Sequence, residues 1–298
     1  MATLTDDQLG MTMAVGTAVV WSAAVILLRR GVEVGAAAAN LFKNAVGTIL
    51  IAATLVLAAP EQALGIPLAD VAILALSGIL GIAIGDVLFL AALRRLGASW
   101  MALLDCAYAP TVVLAAVLWL GEPLSRGFAL GSALVVVGLV VATWRRGARE
   151  PVGAGLLLGL AAIVAVAVGV VIAKPALERT GLIAATAIRL CAGLVAQALV
   201  HLPSARLRRS FTVFRNREAA RSLLPAAVLG TWLSMILWLG GTKYTAASTA
   251  AVLNQTATVF TLLGARFVLG EPVPARRWWG AVLAIAGALT VAIDGLGG

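Results

Sequence analysis

Charge is what this chain most lacks. Only 12% of its 298 residues are Asp, Glu, Lys or Arg, about half the share of an ordinary soluble domain, and the mean hydropathy is +1.04. Such a composition leaves too little polar surface to face water on all sides. Cysteine and histidine are almost missing as well. Cys106, Cys191 and His201 have neither the spacing of a zinc site nor that of a disulfide framework, so the cysteines read as small apolar core residues and the histidine as an interfacial group. The chain also has no glycine-rich phosphate loop, no nucleophile triad and no metal-ligand cluster. These absences argue against an enzyme, an ATP-driven pump and any bound cofactor or metal.

What the sequence has in abundance is apolar runs of about 20 residues, the length a helix needs to cross the hydrocarbon core of a bilayer. They place spans at roughly 10–28, 36–59, 70–93, 98–120 and 127–144, and, after the basic break WRRGAREPVG, at 153–173, 182–202, 223–241, 246–268 and 278–296. In hydrocarbon every backbone polar group must pair within its own segment, and runs this long lack the alternation of barrel strands. The expected fold class is therefore all-α integral membrane, with about ten transmembrane helices. The first span lacks the basic start and cleavage pattern of a secretory signal and is expected to be retained. The connections are short, except around RRSFTVFRNREAAR, and no separate soluble domain is expected.

The second abundance is internal repetition. The motif LGEP stands at 120–123 and again at 269–272, 149 positions later. At that offset Gly81, Ser99, Gly131 and Gly138 fall on Gly230, Ser248, Gly280 and Gly287; Arg94 falls on Lys243 and Asp105 on Asn254. Upstream the offset becomes 146, where Lys43 matches Arg189 and Gly47 matches Gly193. Two five-span repeats, 1–149 and 150–298, account for these matches. Because five is odd, the second repeat enters the membrane from the opposite face. This inverted plan is common in secondary transporters, whose substrate site lies near the midplane between the halves. LGEP itself reads as a hairpin turn: Pro opens the next helix, where a missing N–H costs little, and Gly permits a tight exit. A structural role is expected for its carboxylates, Glu122 and Glu271.

Ten spans in two repeats, with LRRLGAS or TKYTAAS between the third and fourth span of each and LGEP after the fourth, resemble the EamA-type branch of the drug/metabolite transporter superfamily. The resemblance covers essentially the whole chain. It implies a ten-helix carrier that exports or exchanges small metabolites, often amino acids, by alternating access and without nucleotide hydrolysis. Drugs and nucleotide sugars are alternative solutes, and a non-transporting membrane subunit is the alternative of a different class. The resemblance also implies termini in the cytoplasm.

Charge placement gives an independent orientation. Arg29, Arg30, Arg94, Arg95, Arg145, Arg146 and the arginines of 206–221 lie in odd-numbered connections, while the even-numbered ones hold Arg126, Lys174, Arg179 and Lys243. The positive-inside rule thus turns the odd connections to the cytoplasm and both termini outward, against the implication of the resemblance. The net charge of +9 is spread over short connections beside spans, where anionic lipid headgroups account for it, so nucleic acid is not an expected partner. A multi-pass protein of a bacterial cytoplasmic membrane is expected, with membrane lipids and a small solute as partners. The spaced glycines of GSALVVVG and GAVLAIAG suit close helix contact within the bundle or in a homo-oligomer.

Ionisable and polar groups inside spans cost about 2.5–3.5 kcal/mol each at mid-helix, so each is a candidate for function. Asp86 lies about two turns from the end of the third span. With Phe89 it shares a face that, in the eighth span, holds Trp232, Met235 and Trp238. In the fourth span Asp105 and Tyr108 are three apart; in the ninth, Asn254 and Thr258 are four apart, with Gln255 beside them. Pro110 interrupts the ladder after Tyr108 and frees a carbonyl one turn earlier. Trp21 and Ser22 lie mid-way along the first span. These eleven residues, Trp21, Ser22, Asp86, Phe89, Asp105, Tyr108, Trp232, Trp238, Asn254, Gln255 and Thr258, are the expected substrate contacts. Asp86 and Asp105 are the only deeply placed carboxylates available for proton coupling. Lys43 and Arg189, near the start of their spans, are expected to snorkel as anchors, with capture of a substrate carboxylate as the functional alternative.

Overall fold

In the computed structural model, which describes residues 5–120, 126–143, 153–201, 217–245 and 247–296, every apolar run is a helix and no strand occurs among the described residues. Residues 121–125 with Glu122 of the first LGEP, the break at 144–152 and the basic connection at 202–216 lie outside the described residues, as do the side chains of His201 and Ser248. The helices of the first half are α1 (Asp6–Gly31), α2 (Ala36–Ala58), α3 (Leu68–Leu96), α4 (Ala98–Asp105 continuing as Tyr108–Leu120) and α5 (Arg126–Thr143). Those of the second half are α6 (Gly153–Arg179), α7 (Leu182–His201), α8 (Arg217–Tyr244), α9 (Ala247–Asn254 continuing as Ala257–Phe267) and α10 (Ala275–Leu296). Seven of them are individually long and apolar enough to cross a bilayer.

The connections sort onto two faces. On one, Arg29 Nε donates to Glu271 at 3.2 Å, Arg30 to the Val268 carbonyl at 3.0 Å and Ser222 to the Leu27 carbonyl at 2.5 Å, joining the ends of α1 and α9 and the start of α8. On the other, Arg179 is paired with Asp70, Gln62 Oε1 accepts the Ile183 amide at 2.9 Å, and Lys243 Nζ donates to the carbonyls of Leu177, Glu178 and Thr180. Consecutive helices therefore alternate in direction, and equivalent helices of the two halves run oppositely.

Packing repeats with the sequence. Helix α1 lies against α8 and α9 of the other half, and α6 lies against α3 and α4. Helices α2 and α7 are neighbours, as are α5 and α10. The glycines mark the crossings. A side chain at Gly47 of α2 would strike Thr231 of α8, and one at the matching Gly193 of α7 would strike Ile82 of α3. Between α5 and α10 a side chain at Gly138 would meet the Gly280 backbone, and one at Gly287 the Gly131 backbone. Such bare backbone contact is how helices adhere where lipid offers no hydrophobic drive to associate. The spaced glycines of GSALVVVG and GAVLAIAG thus face each other within one bundle.

The outside of the bundle is oily, and a minority of polar groups is held inside among the apolar core. Leu57, Leu118 and Phe267 are among the most exposed side chains, whereas Asn40, Asn44, Thr186 and Arg189 are buried. An apolar exterior, with the ionisable groups turned inward, is what lipid as a solvent demands.

Candidate functional site

Four helices depart from regular α geometry at mid-depth, in matched pairs. Helix α3 widens into a π turn over Ile79–Gly85, and α8 does the same over Val228–Leu233. Helix α4 breaks at Cys106–Ala107, where both amides bond three residues back, to the carbonyls of Leu103 and Leu104. In α9 the amides of Thr256, Thr258 and Val259 likewise bond three residues back. Pro110 explains only the first of these breaks. Its counterpart is Val259, so the break in α9 is held by the surrounding packing rather than by a missing N–H.

Around these irregular turns α1, α2, α3, α4, α6, α8 and α9 enclose a cavity of about 160 Å³. With ~10–15 Å³ needed for each water, it has room for on the order of ten waters or one small solute. Trp21, Phe89, Tyr108, Met235 and Trp238 form much of its apolar wall, and the Trp21 and Phe89 rings meet at 5.4 Å. Lys43, Asp86, Asp105, Asn254 and Gln255 supply the polar groups, with Thr17 and Ser234. A mostly apolar, aromatic-lined cavity with a few convergent polar groups is the usual form of a small-molecule site.

The best-formed polar feature is an ion pair. Lys43 Nζ lies 2.5 Å from Asp86 Oδ2 and 2.9 Å from Asn44 Oδ1. Around it Asn40 and Asn44 both donate to Gln197 Oε1 at 3.3 Å, and Asn40 also donates to the Ile82 carbonyl of the α3 π turn at 2.9 Å. Lys43 is 4% exposed; it does not snorkel, because Asp86 meets it inside the bundle. Arg189, the residue matching Lys43, is 1% exposed and does not snorkel either. Its guanidinium bonds Ser77 Oγ beside the α3 π turn and stands 5.6 Å from the Trp238 ring. No carboxylate lies within ion-pair distance of it among the described residues.

Of the eleven expected contacts, eight lie together on the cavity wall: Trp21, Asp86, Phe89, Asp105, Tyr108, Trp238, Asn254 and Gln255. Three do not. Ser22 is buried in the α1–α9 contact and donates to the carbonyls of Ala18 at 2.6 Å and Ala257 at 3.0 Å. Thr258 bridges the two broken helices, donating to the Ala102 carbonyl at 3.1 Å with Cys106 Sγ at 3.4 Å. The break between Asn254 and Thr258 turns them onto different faces, so four-residue spacing no longer predicts a shared side. Trp232 sits inside the α8 π turn, whose extra residue shifts the register. It points to α2, where its Nε1 donates to Thr54 Oγ1 at 3.0 Å.

Lys43 on the wall was signalled in the sequence by a charge inside an apolar run, as was Asp86; their pairing, across 43 residues, was not. Ser234, Thr17 and Ala162 gave no signal.

Glu271 of the second LGEP has a defined structural role. Its two oxygens accept the amides of Ala98 and Ser99 at 3.1 Å each, capping the start of α4, while Arg29 holds it from α1. Gly270 before it has φ +66°, a conformation glycine adopts without strain.

The chain belongs to the EamA-like transporter family, whose model matches twice, over residues 8–144 and 153–293. A solved crystal structure has the same fold, with a TM-score of 0.69 at 17% identity over 95% of this chain and 96% of that one. At that identity the likeness concerns architecture alone. Among curated proteins no sequence match is found.

Proposed function

We propose that this member of the EamA-like family is a secondary transporter that exports or exchanges small metabolites, amino acids first among them, across a bacterial cytoplasmic membrane by alternating access. The observation that carries the reading is the mid-depth cavity, in which a lysine–aspartate pair and an aromatic wall are enclosed by two oppositely running halves. A buried ion pair contributes little to stability compared with well-packed apolar residues. A carrier, in contrast, has a use for it: Lys43, held on the cavity wall by Asp86, can answer a solute carboxylate inside the membrane. The aromatic wall suits a solute with an apolar side chain.

The irregular turns support the mechanism. Residues that line the cavity lie within or next to each of the four places where α3, α4, α8 and α9 carry π or three-residue hydrogen bonds. Bending there lets one half rock against the other around the bound solute. Purified protein in liposomes loaded with labelled amino acids is expected to show protein-dependent flux for at least one of them. Drugs and nucleotide sugars belong in the same panel as alternative cargo; an absence of flux across the whole panel overturns the reading.

A further inference from the structure

The polar groups of the cavity divide into two sets with different needs. Lys43 and Asp86 neutralise one another. Asp105, Asn254 and Gln255 form the other set, at the matched breaks of α4 and α9, and there oxygens go without donors. Asp105 has no hydrogen bond or ion pair among the described residues. Asn254 Oδ1 and Gln255 Oε1 are buried with no hydrogen-bond partner among the described residues. Gln255 is 3% exposed, and its amide nitrogen is directed to the Ala251 carbonyl at 3.4 Å, which leaves its oxygen as the free end. All three residues line the cavity.

Buried acceptors left unpaired are costly, and a carboxylate more so than an amide. The buried cation that matches Lys43 in the second half does not serve them. Arg189 is not on the cavity wall and is engaged with Ser77 and the Trp238 ring. With Lys43 paired to Asp86, Asp105 is the carboxylate on the cavity wall that has no basic partner among the described residues. The missing element is a compact donor with a positive charge.

We infer that the solute's cationic nitrogen, an ammonium group, is seated by Asp105, Asn254 and Gln255 at the breaks of α4 and α9. An ammonium carries three N–H donors, one for each of the three residues, and its charge matches Asp105. The rest of the solute then lies along the aromatic wall. On this assignment the amino group is obligatory, while a carboxylate, answered by Lys43, adds affinity without being required. The inference rests on the transport reading and names the group on the solute that the site selects.

Three probes that share one aromatic body separate the groups: L-phenylalanine, 2-phenylethylamine and 3-phenylpropionate, each scored for its thermal stabilisation of the purified full-length chain. Phenylalanine and phenylethylamine are expected to stabilise it and phenylpropionate to do so at least about tenfold more weakly, the scale of a lost charged hydrogen bond. Asp105→Asn, which keeps the shape and removes the charge, is expected to lower the apparent affinity for phenylethylamine by a similar factor. Phenylpropionate binding as well as phenylethylamine overturns the inference and leaves the transport reading standing; so does an unchanged affinity in Asp105→Asn. Failure of all three probes, together with no flux in liposomes, overturns both. The probe series uses the unaltered protein, so it decides even if the variant does not fold.

Discussion

Lys43 and Arg189 occupy the same place in the two halves, on α2 and α7, one turn from the glycine at which each helix crosses the π turn of the opposite half. Lys43 reaches the cavity and finds a carboxylate; Arg189 is walled off and finds a hydroxyl and an indole face. The next pair diverges in the same direction, with Asp86 on α3 standing opposite Met235 on α8. Backbone devices, meanwhile, are kept in both halves: the crossing glycines, the π turns, and the breaks of α4 and α9. The lesson is that the duplicated backbone constrains how the halves fit and move, while the charges facing the cavity were free to become one-sided.

The sharpest way to break that comparison is to remove each cation. In Lys43→Met a half-buried Asp86 loses its partner, and the expected cost is about 3 kcal/mol, the low end for a broken buried pair because Asp86 borders the cavity. Adding Asp86→Met should restore most of that stability. Arg189→Met removes a buried charge that no carboxylate balances among the described residues, so its cost should stay within about 1 kcal/mol. Denaturation of the purified variants followed by tryptophan fluorescence reads both; equal losses would erase the distinction drawn between the halves.

The shared scaffold is tested next. Gly138→Leu forces side-chain atoms into the Gly280 backbone of α10 and is expected to cost about 2 kcal/mol, within the ordinary range for overpacking. A variant as stable as the parent would show that α5 and α10 do not pack through their glycines.

A smaller effect concerns the tryptophans. Trp232→Phe removes one interhelical hydrogen bond to Thr54, for which about 0.6 kcal/mol is expected, with solute affinity unchanged. Trp238→Ala, on the cavity wall, is expected to weaken solute binding instead. Affinity that falls with Trp232 and not with Trp238 would invert the placement of the two rings.

How much of the molecule is legible in its sequence depends on what each feature rests on. The ten helices among the described residues can be read from hydropathy because a bilayer imposes a length and an apolar requirement on its spans. The duplication is legible because glycines at close crossings and the LGEP hairpin leave recognisable letters. Trp232 misleads because regular helical spacing does not hold across Val228–Leu233, where the extra residue of a π turn rotates one part of the helix against the other. Thr258 misleads for the parallel reason that α9 breaks with Val259 where α4 has Pro110, so no residue announces the break. The pairing of Lys43 with Asp86 is hidden by its nature. Snorkelling is judged from distance to a span end, whereas a partner on another helix is a property of the packed bundle.

The central claim is that the space between the halves is a solute chamber open to water, and cysteine accessibility tests it most directly. In a background with Cys106 and Cys191 replaced, Met235→Cys on the cavity wall is compared with Leu239→Cys, one turn further along α8 and fully buried. A small charged thiol reagent is expected to modify residue 235 in membranes, to do so more slowly when a transported solute is present, and to leave residue 239 untouched. A cysteine at 235 that stays unreactive from both faces of the membrane would contradict the account.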